Sequence, residues 1–136
     1  MRLNKLDNTL LYYVASPYTA PTTISKREQH RMMVKRYQDI TRLGAKLILD
    51  YDLDLVLPIT TSKVLREFEP ALGTRWDYWA KTDTNLVKHC DALIVVQMDG
   101  WKESVGVQAE IDVAKLENKL IYYLDPVTLH VRRETY

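Results

Sequence analysis

The chain has 136 residues, 46% of them hydrophobic and 27% charged, with 19 Lys and Arg set against 18 Asp and Glu. That size suits one core and a single domain spanning 1–136, and the composition argues against disorder. A formal charge of +1 creates no global field for a polyanion, so nucleic acid is not an expected partner. The single cysteine, Cys90, cannot close an internal disulfide and reads as a core thiol in a reducing compartment. Met1 to Asn8 is charged and lacks an apolar leader, and no run approaches membrane-spanning length, so the expectation is a cytoplasmic protein with no membrane partner.

Leu10 to Ala15 is an apolar and aromatic run stopped by Ser16-Pro17, which predicts a buried first strand opening into a loop. Ser25 is a plausible N-cap, and Ile40, Leu43, Leu47, Ile48 and Tyr51 recur at helical spacing, predicting one long helix from Lys26 to Tyr51 with Gly44 inside it. Leu53 to Ile59 reads as the second strand, closed by Pro58 and Thr60-Thr61-Ser62, with a short irregular or helical segment from Lys63 to Pro70. A helix over Arg75 to His89, a strand over Ala92 to Met98, a helix over Ser104 to Glu117 and a strand over Leu120 to Leu124 follow; Val127 to Val131 could add a fifth strand.

Strands this uniformly apolar, alternating with helices, predict an α/β fold: a parallel sheet of four to five strands flanked by helices, flavodoxin-like or Rossmann-like. The ligand crevice of such a sheet lies at the carboxyl ends of its strands, where Ser16 to Tyr18, Ile59 to Ser62 and Asp99 to Gly106 fall.

Two carboxylates break the apolar patterning. Val107, Glu110, Ile111 and Ala114 share one helical stripe, so Glu110 sits on a face that should meet the sheet. Asp83 lies four residues after Trp79 and three before Leu86, on the inward face of the preceding helix. Carboxylates in such positions find partners, shift their pKa or do chemistry. A salt bridge to Lys81 or Lys88 is the structural alternative for Asp83, and a buried basic partner is the alternative for Glu110. Asp91 reads as a strand-entry residue.

Ser104 is an N-cap candidate, and the NH groups of that helix start, with a small hydroxyl and Gly106 to admit close approach, form a ready anion or hydroxyl site. Trp76, Tyr78, Trp79 and Trp101 cluster around the crevice, where aromatic faces stack on a planar base or simply pack. Lys26, Arg27, His30, Arg31 and Lys35 form a basic stripe that reads as a solvated helix face, with phosphate attraction as the alternative. No G-x-G-x-x-G, Walker A or H-E-x-x-H segment occurs, and His30, His89 and His130 lack metal-ligand spacing, so neither a cofactor nor a metal is expected.

Tyr13-Val14-Ala15-Ser16-Pro17-Tyr18, Asp83 eight residues before Asp91, and Ser104-x-Gly106-x3-Glu110 together resemble the nucleoside 2-deoxyribosyltransferase-like superfamily from about Leu10 to Asp125. That group includes the transferases and the nucleoside 5'-monophosphate N-glycosidases. Asp77-Tyr78-Trp79 and Gly100-Trp101-x2-Ser104-x-Gly106-Val107 resemble small bacterial and phage members carrying a domain of unknown function. The resemblance implies cleavage or transfer at an N-glycosidic bond, with Glu110 as nucleophile, Asp83 assisting the base and Tyr13 orienting the glutamate. It implies substrate contacts at Ser16, Pro17, Tyr18, Trp79, Trp101, Ser104 and Gly106. Ser104 is similar to the serine of the monophosphate hydrolases, where the transferases carry an acidic residue. A homodimer or higher oligomer is expected on the same ground. Two other readings stay open: a noncatalytic binder or sensor of a nucleotide-like ligand, and an interaction protein displaying Trp76, Trp79 and Trp101.

Overall fold

Ala92–Val96 (β3) carries only aliphatic side chains and is buried at every position, which places it at the centre of a sheet covered on both faces. In the computed structural model, which describes residues 1–134, it lies between Leu11–Ala15 (β1) and Leu120–Leu124 (β4). Asp54–Val56 (β2) pairs with β1 and Val131–Arg133 (β5) with β4, giving the order β2-β1-β3-β4-β5. That order is flavodoxin-like.

The helices are Lys26–Tyr51 (α1), Pro58–Phe68 (α2), Trp76–His89 (α3) and Val105–Leu116 (α4). From β1 the chain crosses to β2 on one side, then returns past β1 to β3 and continues outward to β4. With right-handed crossovers, that reversal puts α1 on one face and α3 and α4 on the other. Alternating strand residues record the division. Tyr12, Val14 and Ile94 pack in the cluster that contains Ile40 and Leu47 of α1, whereas Tyr13, Ala15, Leu93 and Val95 pack with Val87 of α3 and Val107 and Ile111 of α4.

Two expectations from the sequence shift. Pro58 does not close the second strand; it opens α2, where its missing N–H is no loss. The strand stops at Val56, and Leu57 packs so tightly on α1 that a Cβ at Gly44 would lie 2.6 Å from its Cδ1. The fifth strand is Val131–Arg133 rather than Val127 to Val131, and it runs antiparallel, so the sheet is mixed rather than wholly parallel. Residues 125–130 are too few for a parallel crossover, which takes about a dozen. Asp125 instead accepts from the Val127 and Thr128 amides at 2.8 and 3.1 Å and turns the chain back. No helix among the described residues is long and apolar enough to cross a membrane.

Ile94 is fully buried at the middle of β3. Ile94→Ala is expected to lower unfolding free energy by about 2–5 kcal/mol in urea titration, through lost transfer energy and the cavity left behind.

Candidate active site

Ser104 ends its segment in an extended conformation and its Oγ accepts from the Val107 amide at 3.2 Å, so α4 starts where the sequence places it. Helical spacing then carries Val107, Glu110, Ile111 and Ala114 inward together. Glu110 is 5% exposed, and its Oε2 accepts a hydrogen bond from the Tyr13 hydroxyl of β1. Asp83 projects from α3, which packs beside α4, and its charge reaches both Glu110 and Tyr13.

Burial governs the protonation of this trio. Removal from water pushes Glu110 up from 4.5 to about 8; the Tyr13 hydrogen bond opposes the shift, and the Asp83 charge adds to it. Burial alone raises Asp83 from 3.8 to about 6. Tyr13 is held well above 10, first by burial and then by the Glu110 charge, so it stays a hydroxyl donor.

Glu110 and Asp83 open onto a cavity of about 760 Å³ at the carboxyl edge of the sheet. Ser16 after β1 and Gly100 after β3 both line it, which places the cavity at the point where the strand order reverses, the usual ligand position in open α/β sheets. Trp76, Trp79, Asp83 and Glu110 come from α3 and α4; Pro58, Ile59, Ser62 and Arg66 form the wall contributed by α2.

The family profile described as Domain of unknown function (DUF1937) matches residues 11–125. The chain belongs to that family. No curated protein matches it. The matched span of the DUF1937 domain runs from β1 through β4 and so contains every residue of the cavity wall.

Among the residues singled out from sequence, Ser16, Tyr18, Trp79, Ser104 and Gly106 line the cavity together with Asp83 and Glu110. Tyr13 does not reach the wall and touches Glu110 from behind. Pro17 is buried outside the lining. Trp101 also falls outside it, packed at 5.7 Å between ring centroids on Tyr123. With Trp76 and Trp79 half-buried in the cavity and Trp101 on the core, the three tryptophans form no exposed patch. The basic stripe from Lys26 to Lys35 is exposed at all five positions.

Gly106 serves a different neighbour from the one expected. A Cβ there would stand 3.2 Å from Trp76 Cε3, so the close approach it permits is that of the Trp76 indole against the start of α4. Sequence reasoning passed over Arg36 and Arg66. Arg36 leaves α1 to donate to the carbonyls of Tyr18, Thr19 and Asp99 at 3.4, 3.0 and 3.0 Å, tying the loop after β1 to the loop after β3. Gly100, at φ 91°, makes room: a Cβ there would lie 2.5 Å from Arg36 Nη2. Both arginines look like ordinary surface cations in the linear sequence, and no local signal marks them. Among the described residues no three His, Cys, Asp or Glu side chains gather as a metal site requires.

The raised carboxyl pKa values give the ligand-free DUF1937 domain a defined pH response. A folded state that holds a proton up to about 8, against an ordinary 4.5 for the unfolded glutamate, binds more protons than the unfolded state between those limits, so stability falls as pH rises through that window. Asp83 acts in the same direction between 3.8 and about 6. Thermal melts from pH 4 to 9 should show this decline, and Glu110→Gln should flatten it above about pH 6, where the Asp83 contribution ends.

Proposed function

We infer that the cavity binds a nucleoside or nucleoside 5'-monophosphate and cleaves its N-glycosidic bond by hydrolysis or by transfer to a second base. The observation that carries this reading is the convergence of Glu110 and Asp83, from separate helices, on one cavity, with the Tyr13 hydroxyl holding Glu110. The resemblance to the nucleoside 2-deoxyribosyltransferase-like superfamily supports it through the same three residues.

Between about pH 6 and about 8 the two carboxyls hold one proton between them. The productive arrangement has Glu110 ionised and Asp83 protonated. A Glu110 oxygen bonds to C1' as the C1'–N bond breaks, and the bonding pair leaves on the base nitrogen, which takes the Asp83 proton. Water then attacks C1', gives its proton to Asp83 and releases the Glu110 carboxylate; a second base in place of water makes the reaction a transfer. Ion-pair-like attraction to the developing oxocarbenium charge favours ionised Glu110 during the reaction, against the burial that keeps it neutral in the empty cavity. Trp79, on the same wall, offers its indole face to the base. The reading carries with it a cytoplasmic enzyme of one domain that works as a homodimer or higher oligomer without a cofactor.

A noncatalytic binder is the second reading, favoured by one observation: a Glu110 neutral at pH 7 is a weak nucleophile. Calorimetry separates the two, since a binder leaves its ligand unconsumed.

HPLC of the purified protein with 2'-deoxynucleosides and their 5'-monophosphates should reveal free base. Glu110→Ala should lower that release by about 100-fold or more. No release by wild type, or release undiminished in Glu110→Ala, removes the catalytic reading.

The profile of kcat/KM should be bell-shaped with limbs near pH 6 and pH 8, because the doubly protonated pair lacks a nucleophile and the doubly ionised pair lacks a proton for the base. The Tyr13 hydrogen bond lowers the Glu110 pKa, so Tyr13→Phe should move the alkaline limb to higher pH. An unmoved limb would separate Tyr13 from the protonation of Glu110.

A further inference from the structure

The cavity wall built by α2 carries a guanidinium with no carboxylate partner among the described residues. Arg75, also on the wall, pairs with Asp77 at 3.4 Å, and Arg36 is committed to its three loop carbonyls. Among the described residues Arg66 donates to neutral oxygens, Nη1 to Ser62 Oγ at 3.1 Å and Nη2 to the Tyr18 hydroxyl at 2.8 Å. Its carbon centre stands 5.1 Å from the Tyr18 ring centroid. Two of the five N–H donors of a guanidinium are thereby used, in a side chain that is half-buried and fixed from three sides.

A second observation comes from β1. Ser16 is 6% exposed, lines the same cavity, and its Oγ has no hydrogen-bond partner among the described residues. A buried hydroxyl without a partner is destabilising, and a ligand oxygen resolves it. Tyr18, two residues on, accepts from Arg66 through its hydroxyl oxygen and keeps its own proton for a further acceptor.

These groups face the cavity from the α2 and β1 side, while Asp83 and Glu110 enter from α3 and α4. One wall is therefore cationic and rich in donors, the other carboxylic. A neutral nucleoside satisfies the carboxylic wall and leaves Arg66 without a counter-charge; a phosphoryl group on its 5' oxygen supplies one. At about 760 Å³ the cavity has room for both ends of such a molecule, within the roughly 300–1,000 Å³ range of small-molecule sites.

We propose that Arg66, with the Tyr18 and Ser16 hydroxyls, receives the 5'-phosphoryl group and makes this chain selective for nucleoside 5'-monophosphates over nucleosides. The assignment of the remainder of the ligand rests on the N-glycosidic reading above, whereas the anion-binding wall stands on its own residues.

Calorimetric titration of wild type with 2'-deoxynucleosides, their 5'-monophosphates and inorganic phosphate tests it. At least one monophosphate should bind about 10-fold or more tightly than its nucleoside, the scale of one charge-assisted hydrogen-bonded contact. In Arg66→Ala the ratio of monophosphate to nucleoside affinity should fall below about 3-fold, while Arg66→Lys, which keeps the charge and loses the fork, should retain an intermediate ratio. Inorganic phosphate should compete with the monophosphate in wild type and not in Arg66→Ala, and matching circular dichroism melts establish that both variants fold. Equal affinity for the two ligand classes, no binding of any of them, or a preference that survives in folded Arg66→Ala overturns the proposal. Base release is a separate readout: monophosphate binding that depends on Arg66, with no free base formed, would leave this proposal standing and remove the glycosidic one. Release from nucleosides with no monophosphate preference would do the reverse.

Discussion

A carboxyl group buried between α4 and the sheet is the constraint to which the rest of the site answers. Glu110 occupies a position in the helical stripe where Val107, Ile111 and Ala114 show that an apolar side chain would be ordinary. Burying a carboxylate without compensation is expensive, and the fold meets that expense in two ways. Glu110 tends toward its neutral form, and the Tyr13 hydroxyl occupies one of its oxygens. Because Tyr13 points to the α3–α4 face while Tyr12 and Val14 point to the α1 face, the register of β1 decides whether that bond can form. A slip of one residue would send the hydroxyl to the wrong side of the sheet.

The cavity is assembled from segments that have little contact with one another along the chain. Its walls come from the loop after β1, the stretch of α2 from Pro58 to Arg66, the stretch of α3 from Trp76 to Asp83, the loop after β3 and the first turns of α4. Arg36 holds two of these together by donating to carbonyls in both the loop after β1 and the loop after β3. Burial lowers its pKa from the ordinary arginine value, with the Asp99 charge opposing the shift. Trp76, seated on Gly106, joins the start of α3 to the start of α4. Each loop is thus fastened by a side chain from a distant helix, which gives the carboxyls a defined place relative to the α2 wall.

That wall explains why the two faces of the cavity differ in character. Helix α2 follows β2 at one edge of the parallel strands, on the side of the sheet where Ile59 packs into the α1 cluster. The acidic residues enter from the opposite side, because the chain changes face when it turns back from β2 toward β3. Charge separation across the crevice is therefore a product of topology: the reversal that creates the crevice also brings helices from both faces to its rim.

The periodicity of the sequence alone determined the α/β layering, the extent of α1, the Ser104 cap of α4, and the inward placement of Glu110 and Asp83, since burial pattern and helical spacing are local properties. The two inward helical faces that each carry a carboxyl were visible for the same reason. Tertiary structure decided what local pattern does not encode: that β5 returns antiparallel, that Pro58 begins a helix, that Trp101 turns to Tyr123, and that Gly106 accommodates Trp76. It also decided the roles of Arg36 and Arg66, because a cation in a helix reads as solvated until the fold brings carbonyls or hydroxyls from residues tens of positions away within hydrogen-bond reach.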